Sequence, residues 1–295
     1  MRTIILSLIF AITGVLAQAE TLTLGSVNDN VRKHLDRFAP LAAYLERELA
    51  DHGITEVAIS VLPTSQDMVE ALSSNQVDLY FDSPLVAARV AREAGAEPFL
   101  RRWKRGVGSY HSLIIVPTDS PLQSIEDLVG RRIGFQDPDS TSGFLLPLDM
   151  VLQAGLDVIE LPNREADFSS DALGYVFTQD DKNTVLWLAK GWIDAAATDP
   201  RGFAMLEKAR PGQYRALAQS MEVPRQVVIS RKGLSPELAE IIKQKLIALE
   251  DSDEGKKIMK KFHKTTRFDE FPDGVEATFA PIYALLSRLD VLRLY

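Results

Sequence analysis

Hydrophobic and polar positions along this chain follow two periods, and the switches between them mark the elements. Thr21–Leu24 reads as a short strand that stops at Gly25. From Arg32 to His52 the residues Leu35, Phe38, Leu41, Ala42, Leu45 and Leu49 fall on one helical face, which Gly53 closes as a C-cap. Val57–Leu62 alternates as a strand, Gln66–Ser73 predicts a short helix, and Val77–Phe81 predicts a third strand. A β-α-β-α-β start is the wiring of a doubly wound lobe.

Ser112–Val116 predicts an extended segment leaving that lobe, because Pro117 and Asp119-Ser120-Pro121 break any helix beyond it. A second lobe begins at Ile125. It holds a helical Ile125–Leu128, then Gly130, the strand Arg132–Phe135, and a helix from Gly143 to Ala154 closed by Gly155. Thr184–Ala189 and Trp192–Ala196 predict another helix and a buried strand, and the β-branched Val227–Ser230 leads back to the first lobe. From Pro236 onward the pattern is helical. The expectation is an α/β chain of two lobes, each a mostly parallel sheet flanked by helices, with residues 20–116 and 228–295 in the first lobe and 117–227 in the second. Two extended crossings, near Val116 and Val228, would form the hinge, and the crevice between the lobes would take a small ligand. The charged run from Asp251 to Lys261 reads as solvated helix surface.

Composition narrows the setting. Met1 and Arg2 precede an uncharged run from Ile4 to Leu16, then Ala17-Gln18-Ala19 before Glu20. A basic start, a short apolar core and an A-x-A site predict a secretory signal over residues 1–19, cleaved after Ala19. The alternative is a membrane anchor, but a run of roughly 13 to 15 residues falls short of the ~20 that span a bilayer. Cysteine is absent, which excludes disulfides, zinc–thiolate sites, a thiol nucleophile and an acylated cysteine after the signal. The expected product is therefore a freely diffusing periplasmic protein, a monomer without cofactor. A formal charge of -8 disfavours nucleic acid, whose phosphates need a basic surface.

The candidate chemistry lies in Asp137-Pro138-Asp139-Ser140-Thr141-Ser142-Gly143, between a predicted strand and an apolar helix. The first N–H groups of a helix lack intrahelical acceptors, so free amides and the hydroxyls of Ser140, Thr141 and Ser142 form a cradle for an oxyanion. Ser140 as a plain N-cap is the competing reading. Asp82-Ser83-Pro84 opens another helix, where Ser83 either donates to the ligand or caps. Thr64 and Ser65 stand at a similar strand-to-helix turn.

In this context the chain resembles the phosphate, phosphite and phosphonate substrate-binding proteins of ABC importers. The resemblance rests on Tyr110-His111-Ser112-Leu113-Ile114-Ile115-Val116, on Asp119-Ser120-Pro121 with Glu126-Asp127-Leu128 and Gly130, and above all on Phe135-Gln136-Asp137-Pro138-Asp139-Ser140-Thr141-Ser142-Gly143-Phe144 leading to Pro147. Phe38-Ala39-Pro40-Leu41-Ala42 and Val77-Asp78-Leu79 support it. It implies a type II periplasmic-binding-protein fold with a two-strand hinge, and phosphoryl oxygens held by Ser140, Thr141, Ser142 and the hydroxyl of Tyr110. The competing reading of Tyr110 is a half-buried aromatic at a strand end.

Departures from the family pattern bear on the substrate. Aminophosphonate binders place a tyrosine about where Ser65 falls, a histidine near Asp181, and acids near Arg201 and Gln226. Without those acids a buried ammonium lacks its counter-charge, which argues against an aminoalkyl ligand. Arg201 and Arg225 would favour a more anionic ligand if they face the crevice; as surface arginines they would not matter. Asp181 would accept the proton of a monoprotonated anion, pair with Arg201, or sit in solvent. The expected function is capture of a phosphate, phosphite or amine-free alkylphosphonate for an inner-membrane ABC permease. A sensor that shows its closed form to a membrane receptor or kinase is the alternative. An enzyme fits poorly: the four histidines are scattered, and H-E-x-x-H, G-x-S-x-G and P-loop motifs are missing.

Overall fold

The computed structural model describes residues 20–291, so the expected signal segment lies outside the described residues. The chain starts with β1 (Glu20–Val27), α1 (Val31–Leu49), β2 (Ile54–Leu62), α2 (Ser65–Ser73), β3 (Leu79–Asp82), α3 (Pro84–Ala94) and β4 (Glu97–Lys104). β1 pairs in parallel with both β2 and β3. The strand does not stop at Gly25. A Cβ there would lie 2.6 Å from Val77 Cγ1, so this glycine admits a close neighbour within a continuing strand.

The chain then passes through β5 (Ser109–Tyr110) into β6 (Leu113–Pro117), β7 (Arg132–Phe135), a wide π-type turn at Thr141–Leu145, α4 (Leu146–Gln153), β8 (Val158–Glu160), β9 (Leu173–Phe177), α5 (Asp181–Ala189), β10 (Ala195–Thr198), α6 (Pro200–Ala209) and β11 (Tyr214–Gln219). It returns through β12 (Val223–Pro224) to β13 (Val227–Ser230), α7 (Pro236–Ile247), α8 (Asp253–Lys261), β14 (Thr265–Asp269) and α9 (Gly274–Val291).

The strands form two six-stranded sheets, ordered β14-β4-β13-β3-β1-β2 and β11-β6-β10-β7-β9-β8. Both are flanked by helices, as the apolar pattern predicted. The crossings fall a few residues before Val116 and Val228. Leu113–Pro117 already pairs within the second sheet, and the two crossing segments pair with each other at Tyr110↔Val223 and Ser109↔Pro224.

The carboxyl ends of β1, β3 and β4 share one edge of the first sheet, because β13 runs antiparallel to both β3 and β4. Ligands in open α/β sheets bind beyond that edge. One apolar core joins α2 and α3 to Phe135, Phe144 and Leu146 of the second sheet's layer and to Phe279, Ile282 and Leu286 of α9. α9 is tied to both layers. Arg92 of α3 reaches Asp290 at 2.8 Å, and Arg288 makes a bidentate pair with buried Asp149 of α4 at 2.8 and 2.9 Å.

Candidate functional site

The turn at Ser140 is built from its own side chains. Ser140 Oγ accepts from Gly143 N–H at 3.1 Å and donates to Gln136 Oε1 at 2.8 Å, while its carbonyl accepts from Phe144 and Leu145 N–H. Gly143 is required for this closure, since a Cβ would meet Gln136 Cβ at 2.5 Å and Ser140 Oγ at 2.8 Å. The hydroxyl of Ser140 is thus consumed as a cap. The N–H groups of Thr141 and Ser142 stand ahead of the first turn, where no helical carbonyl can serve them.

Thr141 is 2% exposed, and its Oγ1 makes no hydrogen bond of ordinary geometry, the Tyr110 hydroxyl being the polar group beside it. A buried hydroxyl without a partner costs on the order of 1–3 kcal/mol. Ser142 is held from behind: Ser112 Oγ donates to its carbonyl at 2.6 Å, and Ser112 N–H donates to Ser220 Oγ at 2.8 Å. Fully buried Ser112 thereby links the turn to the crossing strands.

Tyr110 stands at the end of β5, with its hydroxyl beside Thr141 and Ser142. Burial raises the phenol, and Arg225 and the two hydroxyls oppose that rise. Arg225 lies 4.3 Å over the Tyr110 ring, a cation–π contact, and 3.8 Å from Asp199 Oδ2. Tyr110, Asp199 and Arg225, with Lys104, His111, Arg201 and Glu222, line a cavity of about 330 Å³. His111 Nδ1 is buried without a hydrogen-bond partner, 3.9 Å from Glu222 Oε1. Thr198 Oγ1, beside Asp199, is likewise buried and unpartnered.

Asp199 is the residue the sequence reading missed. It ends β10 and caps α6, accepting from Gly202 N–H at 2.7 Å. Thr198-Asp199-Pro200 repeats the form of Asp82-Ser83-Pro84, and that likeness was the available signal. Arg225 and the N-terminus of α6 are the partners of Asp199. Asp181 heads α5 and is exposed to solvent. Its carboxyl is raised by desolvation, then by Asp199 and Asp180, and lowered by Arg225.

On the first-lobe side, Ser83 precedes α3 without making a side-chain cap bond. Its N–H donates to Asp82 Oδ1 at 2.6 Å, and Tyr80 Oη donates to Asp82 Oδ2 at 2.5 Å. Arg89 of α3 meets Asp139 of the Ser140 turn at 3.1 Å, spanning the crevice. Ser65 begins α2 and lines neither the cavity nor the turn. Its neighbour Thr64 forms a capping box with Asp67, so the Thr64 hydroxyl serves the helix. Tyr110, Arg201 and Arg225 thus line the cavity, Thr141 and Ser142 stand beside the Tyr110 hydroxyl, Asp181 lies within electrostatic reach of Asp199 and Arg225, and Ser65 is not among the lining residues.

Residues 28–273 match the family model described as ABC transporter, phosphonate, periplasmic substrate-binding protein. The phosphate-import protein PhnD of Mycolicibacterium smegmatis is 27% identical over 240 residues, 76% of this chain and 70% of that protein. The phosphonates-binding periplasmic protein of Escherichia coli is 26% identical over 227 residues, 74% of this chain and 63% of that protein's length. Among solved structures, XAC2383 from Xanthomonas citri bound to ATP superposes with a TM-score of 0.82 at 23% identity, covering 92% of this chain and 98% of that one. PhnD1 from Prochlorococcus marinus in complex with methylphosphonate gives 0.63 at 18% identity, covering 92% and 99%. At these identities the structures speak for a shared fold.

Proposed function

The chain belongs to the phosphonate periplasmic substrate-binding family of ABC transporters, whose members bind solutes for transport and are not enzymes, and from that premise we propose that it captures a phosphorus oxyanion on the Thr141–Ser142 turn. The observation that carries this reading is the buried, unpartnered hydroxyl of Thr141 beside Tyr110, next to two N–H groups of a helix start. An oxyanion supplies acceptors to those donors at once, and Arg225, stacked on the Tyr110 ring, adds a positive charge beside them. The ligands named for the relatives (phosphate, methylphosphonate and ATP) share only the phosphoryl group, which supports a site that reads that group first.

The ligand has no amine in this reading. Asp199 is engaged by Arg225 and by Gly202, and Asp82 by Tyr80 and Ser83, so neither of these two carboxylates is free to pair with an ammonium. The loaded protein, a soluble monomer in the periplasm, hands its solute to an inner-membrane ABC permease.

Thermal shift with phosphate, phosphite, methylphosphonate, sulfate and 2-aminoethylphosphonate tests this. The melting temperature rises with the logarithm of phosphate or methylphosphonate concentration, as linkage requires, and stays flat with the amine. Thr141→Val combined with Ser142→Ala removes the shift and leaves the circular-dichroism spectrum unchanged. A double variant that still binds places the site elsewhere.

A further inference from the structure

The crevice continues past Lys104 on the first lobe's side. Lys104 also lines a second cavity, of about 280 Å³, over the carboxyl ends of β1, β3 and β4, walled by the start of α1 and by the segment after α8. Ser26, His34, Arg37, Arg102 and His263 face it with Lys104. Arg102 is 3% exposed. Its Nη1 donates to Thr265 Oγ1 at 2.9 Å, its Nη2 donates to Gln226 Oε1, and its Nε, also buried, has no partner. Both acceptors are neutral. Arg37 Nη1 lies 3.3 Å from His263 Nδ1, and Ser26 Oγ lies 2.8 Å from His34 Nδ1.

Among the described residues lining this cavity, Asp82 is the one carboxylate, and Tyr80 and Ser83 already engage it. Cations buried without a counter-ion are costly to keep. They press on one another here. Burial and then Arg225 hold Arg102 down to about 9, and burial, Arg102 and Arg225 hold Lys104 down to about 7. Burial and then Arg102 drive His263 down to about 2. His263 and Lys264 both carry positive φ, 50° and 59°, and the His263 ring packs against Phe38 and Phe262. Strained backbone of this kind persists where the surroundings fix it and collects at ligand clamps.

Resting on the phosphoryl reading of the crevice, we propose that this cavity is a second anion subsite and that the natural ligand carries two anionic phosphorus groups. One group sits on the Thr141–Ser142 turn, the other among Arg37, Arg102 and Lys104. The substrate class is a diphosphate, free or as part of a larger ester. Lys104, which lines both cavities, lies between the two groups.

Isothermal titration of the mature protein with methylphosphonate and with inorganic pyrophosphate tests the assignment. Pyrophosphate binds one to one and at least about tenfold more tightly than methylphosphonate, a gap of about 1.4 kcal/mol. Arg37→Gln and Lys104→Gln each reduce pyrophosphate affinity about tenfold or more, and circular dichroism reports whether each variant is folded. Equal affinities for the two probes, or a folded Arg37→Gln that binds pyrophosphate as the parent does, overturn the second subsite and leave the phosphoryl reading standing. Two pyrophosphates per chain also overturn it, because the subsites would then take separate ligands. Failure of both probes to bind overturns the phosphoryl reading itself.

Discussion

Three consecutive hydroxyls divide their work by a few ångströms. Ser140 spends its hydroxyl on Gly143 and Gln136, whereas Thr141 keeps a buried oxygen unpaired. Sequence alone could not separate them, because capping and ligand binding ask for the same residue type in the same place. Lys104 shows the reverse case, a residue whose chemistry comes from neighbours remote in the chain. Its ammonium is held down to about 7 by burial, then by Arg102, Arg225 and Arg105, with Asp82 opposing. The folded value lies below the unfolded one of about 10.4, so between about pH 7 and 10 the unfolded chain binds more protons. Stability of the empty protein therefore rises with pH across that window. Urea midpoints at pH 7 and pH 9 should show a gain of about 1–2 kcal/mol, after allowance for solvent screening, and Lys104→Met should flatten it.

Elements were legible where one period ran long enough. α1 was bounded closely because five buried apolar residues repeat on one face and Gly53, at φ 87°, ends it. β4 was not recognised, because Arg101-Arg102-Trp103-Lys104-Arg105 reads as a charged run with little apolar alternation. That strand supplies Arg102 and Lys104, so the basic cavity stayed hidden with it. Its other walls come from α1 and from the segment after α8, both remote from β4 along the chain, and no local pattern joins them. The Ser140 turn was visible for the opposite reason, since its cap, its glycine and its donors are contiguous. Gly143→Ala tests how closely that element is built. With a Cβ 2.5 Å from Gln136 Cβ, the variant should lose about 1–3 kcal/mol in chemical denaturation and much of its ligand-induced thermal shift. An unchanged midpoint would mean that the turn relaxes freely.

For the whole molecule, the two-sheet architecture followed from the alternation of strand and helix patterns, while the crossing points were displaced because Leu113–Pro117 has partners on both sides in the second sheet. α9 ties α3 to α4 from behind, and Arg89 with Asp139 closes the front. Asp139 is 64% exposed, so this front pair should contribute less than about 1 kcal/mol and weaken with salt. Arg89→Ala should raise the ligand dissociation rate about two- to fivefold at low ionic strength in stopped-flow measurements, and the difference from the parent should fade in about 1 M salt. A rate that does not change in low salt would remove the pair from any role in closure. The pair sits one residue from Ser140, on the same turn that faces the anion. On the proposed reading, recognition and retention would fall to different atoms of a single loop: the amides and hydroxyls would decide which solute is accepted, and a solvent-facing carboxylate would trim how long it stays. A lineage could retune dwell time to match a faster or slower permease by exchanging Asp139 alone, with its choice of cargo untouched.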